Sequence, residues 1–80
     1  MWQMQPSRVT WTEHALVKAS MLGFARVDVE RALLEHHDRR QRNVGAAQWR
    51  VVVERFVVLY DHPDYDDALT ARVVTLWRRR

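Results

Sequence analysis

The chain has 80 residues, which is enough for one domain with a small core. It contains no cysteine, and this excludes a disulfide framework, a thiolate zinc site and a thiol nucleophile. The 13 Lys and Arg residues and 10 Asp and Glu residues leave a modest net charge of +3.

The charge is unevenly spread along the chain. Residues 39–60 contain five arginines and a single carboxylate, whereas residues 61–67 contain four aspartates and no Lys or Arg. A basic sheet edge beside an acidic loop can bind a polyanion or pair with itself. The N-terminus has no apolar run of the kind found in signal peptides, and the longest apolar clusters are too short to span a bilayer. We therefore expect a soluble cytoplasmic protein with no membrane partner.

The first predicted elements are a short strand and a helix. Residues 1–8 are expected to form a mobile lead, although Val9 to Trp11 is a candidate strand. The first helix is predicted from about Thr12 to Leu22, with an apolar stripe at helical spacing. Thr10 and Glu13 fit the capping-box spacing, and Thr12 is a second N-cap candidate. Gly23 is predicted to end the helix in a left-handed conformation.

A second helix is predicted from about Arg26 to His36, where apolar residues recur at the i, i+3, i+4 spacing. The polar and basic stretch from His37 to Asn43 is predicted to be a loop or a frayed edge strand. If it is extended, Arg40 and Arg42 point the same way.

Three strands are predicted after the helices. The first two are about Gln48 to Val53 and Phe56 to Asp61, joined by a Glu54-Arg55 turn, and the alternative is one continuous bulged strand. The HPDYDD stretch from His62 to Asp67 is the clearest turn signal in the chain. Ala68 to Arg78 is the last strand. Strict alternation places Leu69, Ala71, Val73, Thr75 and Trp77 on one face and Thr70, Arg72, Val74, Leu76 and Arg78 on the other.

The predicted fold is a single α+β domain over residues 1–80. Two N-terminal helices pack on one face of a three- to four-stranded antiparallel β-sheet.

Several short motifs resemble the bacterial and phage DUF4258 family. They are a T-x-H-A-x-x-[KR] start at Thr12 to Lys18, the turn Gly23-Phe24, a V-x-x-A-L helix at Val29 to Leu33, and a VVT-apolar-aromatic-R strand at Val73 to Arg78. This family is similar in turn to the RelE- and BrnT-like toxins of the barnase/EndoU/colicin/RelE group. The resemblance covers about Val9 to Arg78.

The resemblance implies a metal-independent endoribonuclease that cleaves RNA by attack of a 2′-hydroxyl, with no cofactor. Its matching residues are His14, Lys18, Thr75 and Arg78. Lys18 stands where arginine is usual, which keeps the charge but removes the bidentate fork. The Glu54-Arg55 turn stands where glycines are usual.

The chemistry of these residue types suggests roles for them independently of the resemblance. His14 is a candidate general acid/base because histidine titrates near neutral pH, and Lys18, one helical turn on, is a candidate phosphate-binding cation. Arg50, Arg72 and Arg78 are candidate RNA contacts within the predicted strands. The structural alternatives are a histidine that orders the start of the helix, a solvated lysine, and arginines that extend from an exposed face.

Two other functions are compatible with the sequence. One is a non-catalytic module that binds a host protein or an antitoxin, as a phage-encoded growth inhibitor would. The other is a structural homodimer formed through a β edge.

Adjacent His36 and His37 point about 100° apart on a helix, so they are poorly placed to share a metal ion. The sequence predicts no metal site.

Overall fold

A computed structural model describes residues 6–64 and 67–79. Within them the chain forms two helices, a short 3-10 turn and five strands. In chain order these are β1 (Arg8–Trp11), α1 (Glu13–Leu22), α2 (Arg26–His36), the 3-10 turn His37–Arg39, β2 (Gln41–Arg42), β3 (Trp49–Val52), β4 (Phe56–Asp61) and β5 (Thr70–Arg78). Neither helix is long and apolar enough to cross a membrane.

The five strands form one mixed sheet in the order β1-β5-β4-β3-β2. The prediction of an α+β fold with two helices is confirmed, but the prediction of three or four antiparallel strands is wrong in detail. Strand β1 adds a parallel edge to β5, with Val9 beside Ala71 and Trp11 beside Val73. Strand β2 adds a two-residue antiparallel edge to β3. Arg8 therefore belongs to the sheet, while residues 1–5 of the expected lead lie outside the described part of the chain.

Helix α1 begins and ends as predicted from its flanking residues. The Thr12 hydroxyl accepts a hydrogen bond from the backbone N–H of Ala15 at 3.1 Å and so caps the first turn. Gly23 follows the last residue with a φ of 80°, the left-handed conformation that glycine adopts without a Cβ penalty. The sequence Gly-Phe then carries the chain directly into α2.

One face of the sheet carries the main core. Phe56, Val58 and Tyr60 on β4 pack there with Leu33 of α2 and Ala15 of α1. Alternate residues of β4 point to the opposite side, because side chains alternate along a strand. Both helices lie against the first side. We call the second side the open face, since no described helix covers it.

Strand β5 contains a β-bulge that changes which residues face the core. Tyr60 pairs with Val73, but the preceding Leu59 pairs with Thr75, so Val74 is an extra residue on β5. The predicted strict alternation therefore fails after Val73. Leu76, expected opposite Val73, lies with it in the main core.

The predicted Glu54-Arg55 turn is confirmed, because the backbone N–H of Val53 donates to the carbonyl of Phe56 at 3.0 Å. The alternative of one continuous bulged strand is wrong. The predicted turn after Asp61 falls partly outside the described residues, since Tyr65 and Asp66 are not among them.

Candidate functional site

The first turn of α1 is joined to β5 at the bulge. The Thr12 backbone N–H donates to the Val73 carbonyl at 3.0 Å, and the Thr12 hydroxyl donates to the Val74 carbonyl at 3.1 Å. Strand β1 pairs with β5 only as far as Val73, and α1 lies beside the strand beyond that point. We call this boundary between α1 and β5, from Thr12 to Leu22 and from Val73 to Arg78, the α1–β5 seam.

The seam brings together two of the sequence-predicted residues. The Nε2 atom of His14 lies 3.2 Å from the Oγ1 atom of Thr75, although 61 residues separate them along the chain. His14 is exposed in the first turn of α1, and Thr75 comes directly after the bulge. Thr75 pairs with Leu59, so the bulge places its side chain on the open face. It meets His14 at the edge of β5, just beyond the last residue that pairs with β1. The pair therefore presents an imidazole and a hydroxyl to solvent at one point.

Lys18 lies one helical turn beyond His14, about 6 Å further along the helix axis. Residues four apart share one face of a helix, so the ammonium group and the imidazole belong to the same side of α1. Lys18 is half-buried, with no ion pair to a described carboxylate. Its charge is therefore not neutralised by a described neighbour.

Arg78 lies at the far end of the same seam. Its guanidinium donates to the carbonyl of Leu22, the last residue of α1, and its Cζ atom lies 5.0 Å from the centre of the Phe24 ring. Leu22 is about 12 Å beyond His14 along the helix axis. The four residues that carry the family resemblance thus lie along one boundary of the fold, with Thr75 on the open face and Arg78, opposite Phe56, on the helix side.

The other two predicted RNA contacts lie on the open face. Arg50 pairs with Leu59 across the strands, and its Nε donates to the side-chain oxygen of Gln41 at 2.9 Å. Arg72 makes two 3.1 Å hydrogen bonds with Asp61, so its charge is paired. Both arginines share the open face with Thr75, which also pairs with Leu59, but no described contact joins them to His14. The expectation that Arg72 and Arg78 share a face is wrong, because the bulge lies between them.

A buried polar cluster, which sequence reasoning missed, lies at the opposite end of the sheet. His37 is 3% exposed, and its Nδ1 lies 2.9 Å from Nη1 of Arg40. A guanidinium only donates, so Nδ1 accepts and the proton of neutral His37 is on Nε2. Burial is the largest cause that lowers the pKa of His37, and the charge of Arg40 adds to it.

Three buried polar atoms of this cluster lack a hydrogen-bond partner among the described residues: His37 Nε2, Arg40 Nε and Tyr60 Oη. Burial raises the pKa of Tyr60 to about 12. Arg40 opposes that shift by its charge, but its N–H groups do not reach hydrogen-bond geometry with the hydroxyl. Arg40 and Arg42 also lie over the Trp49 ring, at 4.2 and 5.2 Å from its centre. The only feature of this cluster that the sequence predicted is that Arg40 and Arg42 point the same way, and their shared position over Trp49 confirms it.

A shallow cleft of about 270 Å³ separates α2 from the turn between β3 and β4. It has an apolar floor that includes Val53 and Phe56 and a rim of both charges that includes Glu35, His36 and Arg55. This volume is below the range of about 300–1,000 Å³ that is usual for small-molecule sites. Its charged rim and the exposure of its walls make it a weaker candidate for chemistry than the seam.

The described residues contain no group of three His, Asp or Glu side chains placed to hold a metal ion. Comparison of the chain with protein-family models, with curated proteins and with solved structures found no match. What the seam can do chemically therefore has to be argued from its own groups. They are one imidazole, one hydroxyl and two cations along a solvent-facing line.

Proposed function

We propose that the protein is a small toxin-type ribonuclease that cleaves RNA at the α1–β5 seam without a metal ion. The observation that carries the proposal is the pairing of His14 Nε2 with Thr75 Oγ1 at 3.2 Å. A proton-transfer group on one element is held by a hydroxyl on another, and both are open to solvent. Acid–base catalysis needs such a positioned group within hydrogen-bond reach of the reacting proton.

The proposed reaction is an internal transesterification of RNA. The 2′-oxygen of a ribose attacks the adjacent phosphorus, the bond from phosphorus to the 5′-oxygen breaks, and a 2′,3′-cyclic phosphate and a 5′-hydroxyl form. Neutral His14 accepts the proton of the 2′-hydroxyl, and its conjugate acid supplies the proton that the departing 5′-oxygen gains. Thr75 orients the imidazole. A histidine is suited to both roles because its usual pKa lies near neutral pH.

The cations of the seam have separate roles in this proposal. Lys18 is near enough to His14 to stabilise the negative charge that builds on the reacting phosphate. Arg78 is about 12 Å from His14 along the axis, so it is better placed for a neighbouring phosphate of the same strand. The cations of the seam are therefore spaced to contact consecutive phosphates of one polynucleotide, and not to surround a single phosphate.

We also propose that the chain is a divergent relative of the DUF4258 and RelE/BrnT-like toxins. What supports this is that the four residues carrying the resemblance occur along one seam, although they come from opposite ends of the chain. The chain departs from the family's pattern at two places. Lys18 replaces the usual arginine, and the β3–β4 turn contains Glu54 and Arg55 instead of glycines.

The experiment that tests the proposal compares purified wild type with His14→Ala. Total RNA is incubated with each protein in the presence of a chelator, and cleavage is followed by gel electrophoresis. Wild type is expected to cleave, and His14→Ala is expected to lose cleavage while its circular dichroism and thermal melting are retained. Equal cleavage by both proteins would remove His14 from the mechanism. Absence of cleavage by wild type would contradict the enzymatic proposal.

A second candidate is a non-catalytic module that binds a host protein or an antitoxin. Helix α1 favours it, because Met21 is 80% exposed and Val17 is 53% exposed on adjoining turns. Unpartnered apolar side chains of this kind mark many protein-binding surfaces. Growth inhibition that survives His14→Ala but is lost in Val17→Ser/Met21→Ser would favour this function over RNA cleavage. A β-edge homodimer, the remaining alternative, would pair through the two residues of β2 at one edge of the sheet or the four residues of β1 at the other.

A further inference from the structure

Two arginines lie over the Phe24 ring at the far end of the seam, and a third is bonded to the neighbouring β3–β4 turn. The Cζ atoms of Arg55 and Arg78 lie 5.4 and 5.0 Å from the centre of the Phe24 ring. Phe24 is buried and packs against Phe56 with ring centres 4.9 Å apart, so the ring is a fixed support. Two guanidiniums over one rigid aromatic ring form a local concentration of positive charge.

Arg79 joins this cluster through the backbone. Its N–H donates to the Arg55 carbonyl at 3.0 Å, and its guanidinium donates to the Val53 carbonyl at 2.9 Å. Arg78 is fixed in a similar way by the carbonyl of Leu22. Neutral carbonyl acceptors position these two guanidiniums without cancelling their charge. We call Arg55, Arg78 and Arg79 the Phe24 arginine cluster.

No described carboxylate forms an ion pair with the cluster, although Glu35 and Glu54 line the same cleft as Arg55. The two ion pairs among the described residues are Arg26 with Glu30 and Arg72 with Asp61, and neither involves a member of the cluster. All three cluster arginines are exposed. Placing like charges close together costs free energy, and a bound anion removes this cost. The arrangement is therefore suited to an anion, and a guanidinium matches the geometry of a phosphate group.

We propose that the Phe24 arginine cluster is a second phosphate-binding subsite, which holds the RNA strand one or more nucleotides away from the phosphate at His14. The proposal rests on the proposed function in one respect only, namely that the polyanion on the seam is RNA. It assigns Arg55 and Arg79 to substrate binding. It also implies that a mononucleotide binds weakly, because it cannot occupy the cluster and the His14 position together.

The test measures binding of a fluorescent 2′-O-methyl RNA decamer, which lacks a free 2′-hydroxyl and so cannot be cleaved by the proposed route. Affinity is measured by anisotropy over a range of salt concentrations for wild type, Arg55→Gln, Arg79→Gln and Arg55→Lys. Arg39→Gln is the matched control, because Arg39 is an exposed arginine in the 3-10 turn and its replacement removes the same charge. Thermal melting verifies that each variant is folded.

Arg55→Gln and Arg79→Gln are each expected to weaken binding about tenfold, the effect of losing one charge-assisted hydrogen bond. Each is also expected to lower the slope of log K against log salt by about 0.7, as for one lost phosphate contact on a single strand. Arg55→Lys should recover part of the affinity. An equal loss in Arg39→Gln would show general charge attraction and overturn the subsite, and unchanged affinity in Arg55→Gln would do the same.

The uncleavable probe separates this inference from the proposed catalysis. Binding that depends on Arg55, in a protein that does not cleave RNA, would support the subsite and contradict the ribonuclease. If cleavage requires His14 but is unchanged in Arg55→Gln and Arg79→Gln, the ribonuclease proposal is supported and the subsite proposal is overturned. No measurable binding of the decamer by wild type would overturn the subsite directly.

Discussion

At the residue scale, the hydroxyl of Thr75 is the group that ties His14 to the sheet. Thr75→Val keeps the shape of the side chain and removes its hydrogen bond to His14. Because that bond is exposed, the free energy of unfolding is expected to change by less than about 1 kcal/mol. Cleavage is expected to fall about tenfold, since the imidazole is no longer oriented.

Two measurements check this prediction, RNA cleavage rate and urea unfolding. Thr10→Val is the matched control, because Thr10 is an exposed threonine of β1 that pairs with Arg72 on the open face. A Thr75→Val protein that cleaves at the wild-type rate would show that the hydroxyl has no positioning role. A rate loss accompanied by a large stability loss would indicate a structural effect instead.

His37 gives the residue-scale prediction for pH. Its pKa is lowered in the folded protein by burial and by Arg40, so it lies below the unfolded value of 6.5. Below pH 6.5 the unfolded chain therefore binds more protons than the folded one. The stabilisation from neutral His37 is fully present above this pH and is lost as the pH falls through the folded pKa.

The measurement is the thermal melting temperature of wild type and His37→Gln between pH 8 and pH 5. Glutamine does not titrate, and its side-chain oxygen can accept from Arg40. Wild type is expected to lose stability more steeply than His37→Gln as the solution is acidified. The other titratable groups near His37 are Asp38, Tyr60 and His62, and they are unchanged in both proteins. Identical pH profiles would exclude His37 as the source of the acid sensitivity.

Much of the candidate site could be named from the sequence, but its geometry could not. The family resemblance pointed to His14, Lys18, Thr75 and Arg78, and the structure pairs two of them, His14 and Thr75. The side on which each arginine emerges depends on strand register, and one extra residue at Val74 reverses it. Nothing in the run Val73-Val74-Thr75-Leu76 distinguishes a bulged strand from a regular one, because all four residues favour extended backbone.

At the element scale, Thr12 links the start of α1 to the β5 bulge. Its hydroxyl caps the helix and also donates to the Val74 carbonyl. Thr12→Ala is expected to lower the free energy of unfolding by about 1–2 kcal/mol, the usual cost of an N-cap. Cleavage should fall as well, because the first turn carries His14.

Thr12→Ser is the matched variant for this prediction, since it keeps the hydroxyl. Urea unfolding and cleavage rate are measured on both proteins. Near wild-type behaviour of Thr12→Ser together with losses in Thr12→Ala would support the double role. Wild-type stability of Thr12→Ala would show that the cap contributes little to the fold.

The local elements were predictable because their signals lie within a few residues. The bounds of α2 and β4 agree with the prediction, and Thr12 and Gly23 mark the ends of α1 as expected. The parallel pairing of β1 with β5 was not predictable, because it joins residues about 60 positions apart through backbone hydrogen bonds that carry no sequence signature. The same is true of the His37 cluster, whose members come from separate elements.

At the scale of the whole molecule, the sheet divides its arginines between two sides. Arg50 and Arg72 lie on the open face, whereas Arg78 lies at the seam. If RNA follows the seam, Arg50→Gln and Arg72→Gln should keep most of the wild-type cleavage. Arg78→Gln should raise KM with a smaller change in kcat, because the proposed role of Arg78 is to bind a phosphate remote from the reaction.

Steady-state kinetics on one oligoribonucleotide tests this division. Arg78→Lys is a useful companion, since it keeps the charge and shows whether the loss arises from the bidentate fork. A larger effect from Arg50→Gln or Arg72→Gln than from Arg78→Gln would place the RNA on the open face. Because Thr75 also faces that side, opposite Leu59, the cleavage rate of His14→Ala would then decide whether the His14–Thr75 pair is still the reacting centre.

The central claim is that His14 on the α1–β5 seam promotes attack by a ribose 2′-hydroxyl. Its most direct test uses a DNA oligonucleotide that contains a single ribonucleotide, incubated with wild type and His14→Ala in the presence of a chelator. Wild type is predicted to cut only after the ribonucleotide and to leave a 2′,3′-cyclic phosphate, with His14→Ala slower by about 100-fold or more. Cleavage of the all-deoxy oligonucleotide, or equal rates for the two proteins, would contradict the claim.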